Sequence, residues 1–152
     1  MGIYFEEYSI GDEFYSPTRT ITETDVVNFA AMSGDMNEIH TSETFANKTP
    51  FKRRLVHGLL GLSISHGLMF RVGLMEGAAI AFLTIDEWKF KSPIFIGDTV
   101  HAKIEVVDLI PSKSKNDRGV VKLNIKLINS DGNITQEGVK SIMIRTKENQ
   151  TQ

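Results

Sequence analysis

The residues best suited to chemistry fall in one short stretch. It reads Phe29-Ala30-Ala31-Met32-Ser33-Gly34-Asp35-Met36-Asn37-Glu38-Ile39-His40, with Ala46 a little further on. One carboxylate, Asp35, and one imidazole, His40, share a polar segment that follows an apolar helix. A second polar-to-apolar junction comes at Arg54-Leu55-Val56-His57-Gly58, where another helix is expected to begin. The first N–H groups of a helix have no intrahelical partner and carry its positive end. A carboxylate and an imidazole facing such an end suit chemistry on a carbonyl: the pair moves protons and the helix end stabilises an oxyanion.

The elements that must position these groups are legible from spacing. Glu13 to Thr20 reads as a first strand, opened by the Ile10-Gly11-Asp12 turn. Thr22 can cap a helix from Glu23 to Met32, with Glu23 and Asp25 favourable in its first turn and Val26, Val27, Ala30 and Ala31 forming its apolar stripe. Gly34 ends it, as a residue that accepts a left-handed conformation. Ser42 to Ala46 reads as a single helical turn, followed by the polar loop Asn47 to Arg54. From Val56 to about Glu76 apolar residues fall on every face, which predicts a long helix in the middle of the fold.

Beyond that helix the pattern changes to period two. Phe82, Thr84, Asp86, Trp88 and Phe90 are expected on one face of a strand, and Glu87, Lys89 and Lys91 on the other. After the Gly97-Asp98 turn, which Asp98 serves, Val100, Ala102, Ile104 and Val106 line one face of the next strand. Val121, Leu123, Ile125 and Leu127 repeat the pattern. Asn129-Ser130-Asp131-Gly132-Asn133 is a hairpin turn, and a final strand runs from about Thr135 to Arg145. One long buried helix followed by consecutive antiparallel strands is an α+β layout with the sheet curled round the helix.

Composition excludes several classes of function. The 152 residues make one domain, with about 147–152 expected to fray, and 41% hydrophobic with 24% charged residues is ordinary for a soluble protein. A net charge of −2 gives no reason to expect nucleic acid or an anionic membrane as partner. With no cysteine, disulfides, thiolate metal sites and thiol catalysis are excluded. The acidic start, Met1 to Tyr8, has no signal-peptide pattern, and Glu6 stands where myristoylation wants Ser or Thr. The apolar stretch Val56 to Gly73 is interrupted by His57, Ser63, Ser65, His66 and Arg71, so it reads as a buried helix and not a membrane span. The expected location is cytoplasmic.

The chemistry-bearing stretch resembles the signature of the MaoC-like dehydratases and R-specific enoyl-CoA hydratases. The matching positions are Phe29, Met32, Ser33, Gly34, Asp35, Asn37, Ile39, His40 and Ala46. The chain departs at Glu38, where that family usually has proline. Leu55 to Leu60 is similar to a second block of the family, and Phe90 to Val100 to a third. The resemblance implies a hotdog fold, a long central helix wrapped by a curved antiparallel sheet. It also implies that Asp35 and His40 hold a catalytic water and that the Gly58 N–H meets a thioester oxygen. The substrate would be a 2,3-enoyl group carried on CoA or an acyl carrier protein, with no further cofactor. A homodimer is the minimum assembly, because an unpaired hotdog domain leaves apolar sheet surface exposed.

Each residue also has a plainer reading. Asp35 and His40 could be plain turn residues, and so could Ser33 and Asn37, although these two could instead orient the pair by hydrogen bonds. Gly58 could serve close packing alone. His57 is expected to fix the loop against the helix, His66 to be a satisfied core histidine, and His101 to face solvent. No His, Asp or Glu cluster has metal-ligand spacing, so no metal is expected. Lys52, Arg53 and Arg54 form a basic run that could meet the phosphates of a CoA or carrier thioester. Two other functions compete: a hotdog thioesterase, which would want an Asp or Glu on the central helix, and a non-catalytic acyl-thioester-binding subunit.

Overall fold

The structure is a computed structural model and describes residues 2–147; the remainder of the tail expected to fray lies outside the described residues. Its frame is set by three long strands that alternate as their sequences dictate. They are β4 (Thr99–Pro111), β5 (Arg118–Asn129) and β6 (Ile134–Arg145), joined as an antiparallel meander. Val100, Ala102, Ile104 and Val106 on β4 and Val121, Leu123, Ile125 and Leu127 on β5 are all fully buried. The β5–β6 hairpin is held by the Asn129 side chain, whose Oδ1 accepts from the N–H groups of Asp131 and Asn133. Gly132 takes the positive φ, 81°, that the turn needs.

The remaining strands extend this frame into one six-stranded sheet of order β1-β4-β5-β6-β3, with β2 also on β4. The expected strand from Glu13 to Thr20 is split into β1 (Glu13–Tyr15) and β2 (Arg19–Thr20). Pro17 lies in the gap, where it has no N–H to give a ladder. At the other end, β3 (Ala79–Phe90) is an edge strand beside β6, and it starts earlier than its alternation suggests. Its register shifts three times, and Glu87 sits at φ 51°. The even-numbered face expected from Phe82 to Phe90 is therefore broken: Thr84 and Asp86 hydrogen-bond each other in the open, while Trp88 reaches inward to Gln136.

The helices precede β3. Helix α1 (Glu23–Ser33) starts at a capping box in which Thr22 and Asp25 satisfy each other's backbone N–H, and it stops at Gly34 in the left-handed conformation. A turn of helix not foreseen, α2 (Glu38–Thr41), follows because the Asn37 side chain caps the N–H of Ile39. Ser42 then caps α3 (Glu43–Ala46). Helix α4 (Gly58–Arg71) is shorter than the span from Val56 to Glu76. Val56 is instead held extended by its N–H bond to the Ile94 carbonyl, and the chain turns out of the helix at Gly73, φ 84°.

Leu60, Ile64 and Leu68, four residues apart, press one face of α4 into the core formed with β4, β5 and β6. Burying three such side chains contributes on the order of 5 kcal/mol or more. The other face is not buried by the chain itself, contrary to the expectation of a helix covered all round: Leu59 is 60% exposed and Phe70 42%. The result is the hotdog arrangement, a central helix laid against a curved antiparallel sheet. Among the described residues no helix is long and apolar enough to cross a membrane.

Candidate active site

The site is assembled where α1 ends, α2 turns and α4 begins. Gly34 closes α1 with its N–H on the Ala30 carbonyl. Ser33 Oγ donates to the Phe29 carbonyl and accepts from the Asp35 N–H at 3.1 Å, which sets the first bend. The Asp35 carboxylate accepts from the Asn37 N–H at 3.3 Å. Ser33 and Asn37 thus shape the segment through the backbone, and neither bonds the His40 ring.

Two histidines complete the cluster. His40, the third residue of α2, makes a 2.8 Å bond from Nδ1 to the carbonyl of Leu55. His57, 1% exposed, makes a 3.0 Å bond from Nε2 to the carbonyl of Asp35. A carbonyl oxygen only accepts, so those two ring nitrogens carry the hydrogens. His40 is left with Nε2 as a proton acceptor. The two imidazoles stack at 3.8 Å between centroids, and Phe29 tilts against His57 at 4.9 Å. Burial lowers the pKa of His57; the bond to the Asp35 carbonyl opposes this, and the adjacent His40 adds to it.

Chain spacing did not foresee how near these groups come. One ligand atom from each of Asp35, His40 and His57 lies within 4.8 Å of the others. Among the described residues this trio is the donor set that could hold a metal, although its sequence positions have no such pattern. Of the three, the Asp35 carboxylate and His40 Nε2 are open to acid/base chemistry, since His57 is buried with Nε2 on the Asp35 carbonyl.

Gly58 is the first residue of α4 and its carbonyl accepts from Gln136 Nε2 at 3.0 Å. The Gln136 Oε1 accepts from the Trp88 indole at 3.1 Å, so β3 and β6 both anchor the start of the helix. A Cβ on Gly58 would meet the Phe90 ring at 2.8 Å, so the close approach is real. His40, Leu55, Gly58, Phe90, Pro93 and Gln136 line a cleft of 330 Å³. Asp35 stands at its side, exposed.

The basic run is placed differently from a phosphate clamp. Arg54 is held by Glu43 at 2.5 Å and Glu23 at 2.6 Å, so it ties α1 and α3 to the loop before α4 and is already neutralised. Arg53 lies over the Phe95 ring, 3.6 Å from its centroid, and is exposed. His66 is not the satisfied core histidine expected: its Nδ1 is buried without a partner. His101, half-buried, is on the outward phase of β4.

Gln136 and Lys140 were not singled out from the sequence. Both fall in phase with Ile142 and Ile144 on the buried face of β6, and that alternation was the available signal. Trp88 was counted on a face whose regularity the β3 bulges destroy.

An α+β hotdog domain with an Asp/His pair beside a helix N-terminus is thus the class that fold and site define. A match to the MaoC like domain spans residues 6–128, and the chain belongs to that family. It is 37% identical over 114 residues to a 3-hydroxybutyryl-CoA dehydratase of Methylorubrum extorquens, covering 74% of this chain and 69% of that protein. It is 36% identical to an (R)-specific enoyl-CoA hydratase of Rhodospirillum rubrum, covering 72% and 74%. Among solved structures, a monoamine oxidase regulatory protein from Archaeoglobus superposes with TM-score 0.88 at 36% identity, over 95% of each chain. A Mycobacterium tuberculosis protein with a double hotdog fold superposes with TM-score 0.80 at 19% identity, over 97% of this chain and 46% of that one, a likeness of fold alone.

Proposed function

We propose that the protein is an (R)-specific enoyl-thioester hydratase, or the corresponding 3-hydroxyacyl dehydratase in reverse. The observation that carries the reading is the Asp35 carboxylate within 4.8 Å of a nitrogen of His40, which lines one cleft together with Gly58 at the free end of α4. A water held between the Asp35 carboxylate and His40 Nε2 loses a proton to one of them as its oxygen bonds to C3 of the enoyl group. The C2–C3 π electrons move toward the thioester carbonyl, and the Gly58 N–H meets the growing negative charge. The group that took the proton returns it to C2 on the same face, while the other member of the pair accepts a hydrogen bond from the remaining O–H, so one water adds in total. Acid/base help of this kind is worth about 10² to 10⁴ in rate. No cofactor is needed beyond the thiol carrier of the substrate.

The apolar surfaces left open support a homodimer. Phe82, Leu83, Ile85 and Phe90 on the edge strand β3 are 39–56% exposed, next to the uncovered face of α4. A second copy of the chain covers such a face and pairs the edge. Of the basic run, Lys52 and Arg53 are exposed and free to meet a carrier phosphate, since only Arg54 is held by carboxylates.

Incubation with crotonyl-CoA tests the reading. Loss of enoyl absorbance without release of free thiol is expected. Thiol release would indicate a thioesterase, and binding without turnover a non-catalytic acyl-thioester-binding subunit; either result removes the hydratase reading.

A further inference from the structure

A second cavity, 310 Å³, opens between α4, β3 and β6, lined by Leu62, Ser63, His66, Phe82, Ile85 and Lys140. Lys140 is the unusual member. It projects from the buried face of β6 with no residual exposure, and its Nζ donates one hydrogen bond, to Ser65 Oγ at 2.9 Å. The Trp88 ring lies 5.1 Å from the same nitrogen. Among the described residues no carboxylate is within ion-pair distance of it. Two of its three N–H donors therefore have no protein acceptor.

The cavity lies in line with the reacting centre. Gly58, Leu62 and His66 succeed one another at intervals of four along α4, so His66 is about 12 Å beyond Gly58 along the helix axis. Gln136 and Lys140 match this on β6, four residues apart on one face, and span about 13 Å. An acyl chain on a thioester at Gly58 that follows α4 toward His66 meets apolar side chains first and a cation at its end. Burial alone pushes the Lys140 amine down to about 7, so it can take up a proton when an anion arrives near neutral pH.

We propose that this cavity lodges a carboxylate carried on the far end of the acyl chain, with the Lys140 ammonium as its partner. The preferred substrate class is then an enoyl thioester of a dicarboxylic acid, with Leu62, Phe82 and Ile85 receiving the methylenes. An uncompensated buried ammonium is costly, and a buried carboxylate is equally so; together, with Ser65 and the ring of His66 beside them, they form a hydrogen-bonded pair. The assignment rests on the hydratase reading for the thioester end, while the contact with Lys140 concerns only the other end.

The test compares CoA thioesters of matched length ending in a methyl group, a methyl ester or a carboxylate. Turnover of the 2-enoyl forms and calorimetric binding of the saturated forms are both followed, in wild type and in Lys140→Met. At the length that reaches the cavity, wild type should favour the carboxylate over its methyl ester by about tenfold or more in kcat/KM and in affinity. Lys140→Met should abolish or invert that ratio, and Lys140→Arg should keep part of it. Equal treatment of the three ends by wild type, or a ratio unmoved by Lys140→Met, overturns the proposal while leaving the hydratase reading intact. Binding selectivity that depends on Lys140 without any turnover would retain the cavity and remove the hydratase. Tight binding of a free fatty acid, but not of the carboxyl-ended thioester, would make the site one for free carboxylates and also overturn the proposal.

Discussion

His57 lies against His40 with ring centroids 3.8 Å and planes 25° apart, and from its other edge it donates to the carbonyl of Asp35. One buried imidazole thereby touches both members of the proposed acid/base pair without presenting a nitrogen to the substrate cleft. Its lowered pKa, set first by burial, keeps it neutral at neutral pH, so it adds no charge beside His40. His57→Phe should preserve the stack and remove the bond to Asp35. The expected loss is about tenfold or more in kcat, from misplacement of Asp35, with KM little changed. Wild-type kcat in this variant would show that the carbonyl contact is dispensable.

Asp35→Asn and His40→Ala should each lower kcat on a crotonyl thioester by at least about 10²-fold with the fold intact. Because both act on one water, the double variant should lose far less than the product of the single losses. Multiplicative losses would mean that the two do not work as a unit.

Gly58 has two possible constraints, and they separate by mutation. A Cβ there would strike the Phe90 ring, whose residue is 56% exposed and can swing away. Gly58→Val should reduce kcat/KM by about 10²-fold or more through loss of access to the helix N-terminus. Phe90→Ala in the same chain should restore stability and not activity. Recovery of activity in the double variant would reduce Gly58 to a packing residue.

Glu38, the departure from the family pattern, is the first residue of α2 and is exposed. That helical position tolerates proline, whose missing N–H has no intrahelical acceptor to lose. Glu38→Pro is therefore expected to fold, with unfolding changed by less than about 1 kcal/mol and both limbs of the pH–rate profile in place. A limb displaced by about one pH unit would make the carboxylate part of the site.

Lys140 links stability to pH with a definite sign. Its amine titrates at about 7 in the folded chain, against the ordinary 10.5, and the one other titratable group lining its cavity is His66. Between those values the unfolded chain holds a proton that the folded chain has released, so wild-type stability rises with pH. Below about pH 7 both states are protonated and the whole cost of burying the charge remains. Lys140→Met should be more stable than wild type there, by roughly 3–5 kcal/mol, and the gap should shrink toward pH 10. Urea denaturation across that range measures it; a gap constant with pH would mean that Lys140 does not titrate low.

What could be read from the sequence was what is local to it. Asp35 and His40 share one turn-rich segment, Thr22 announces α1, and the alternating strands β4 and β5 declare their buried faces. His57 meets Asp35 across 22 positions, and no spacing rule reports such a contact. The length of α4 was overread because apolar residues continue past Arg71, whereas the backbone leaves the helix at Gly73. The faces of β3 were misread because bulges shift their phase without changing composition. Lys140 shares the phase of Ile142 and Ile144, which places it inside although lysine is by type a surface residue.

The strand order has a consequence for how the chain is made. β3 leaves the ribosome before β4 and β5, yet its partner in the sheet is β6, the last strand. Until β6 emerges, α4 has no Gln136 to hold its first turn, Ser65 has no lysine to bond, and β3 has an unpaired edge on both sides. A nascent chain stalled before residue 134 therefore holds Asp35, His40 and Gly58 but not the wall that secures them. Protease protection of stalled chains should appear in one step, only after the final strand clears the exit tunnel, and catalytic competence should appear with it.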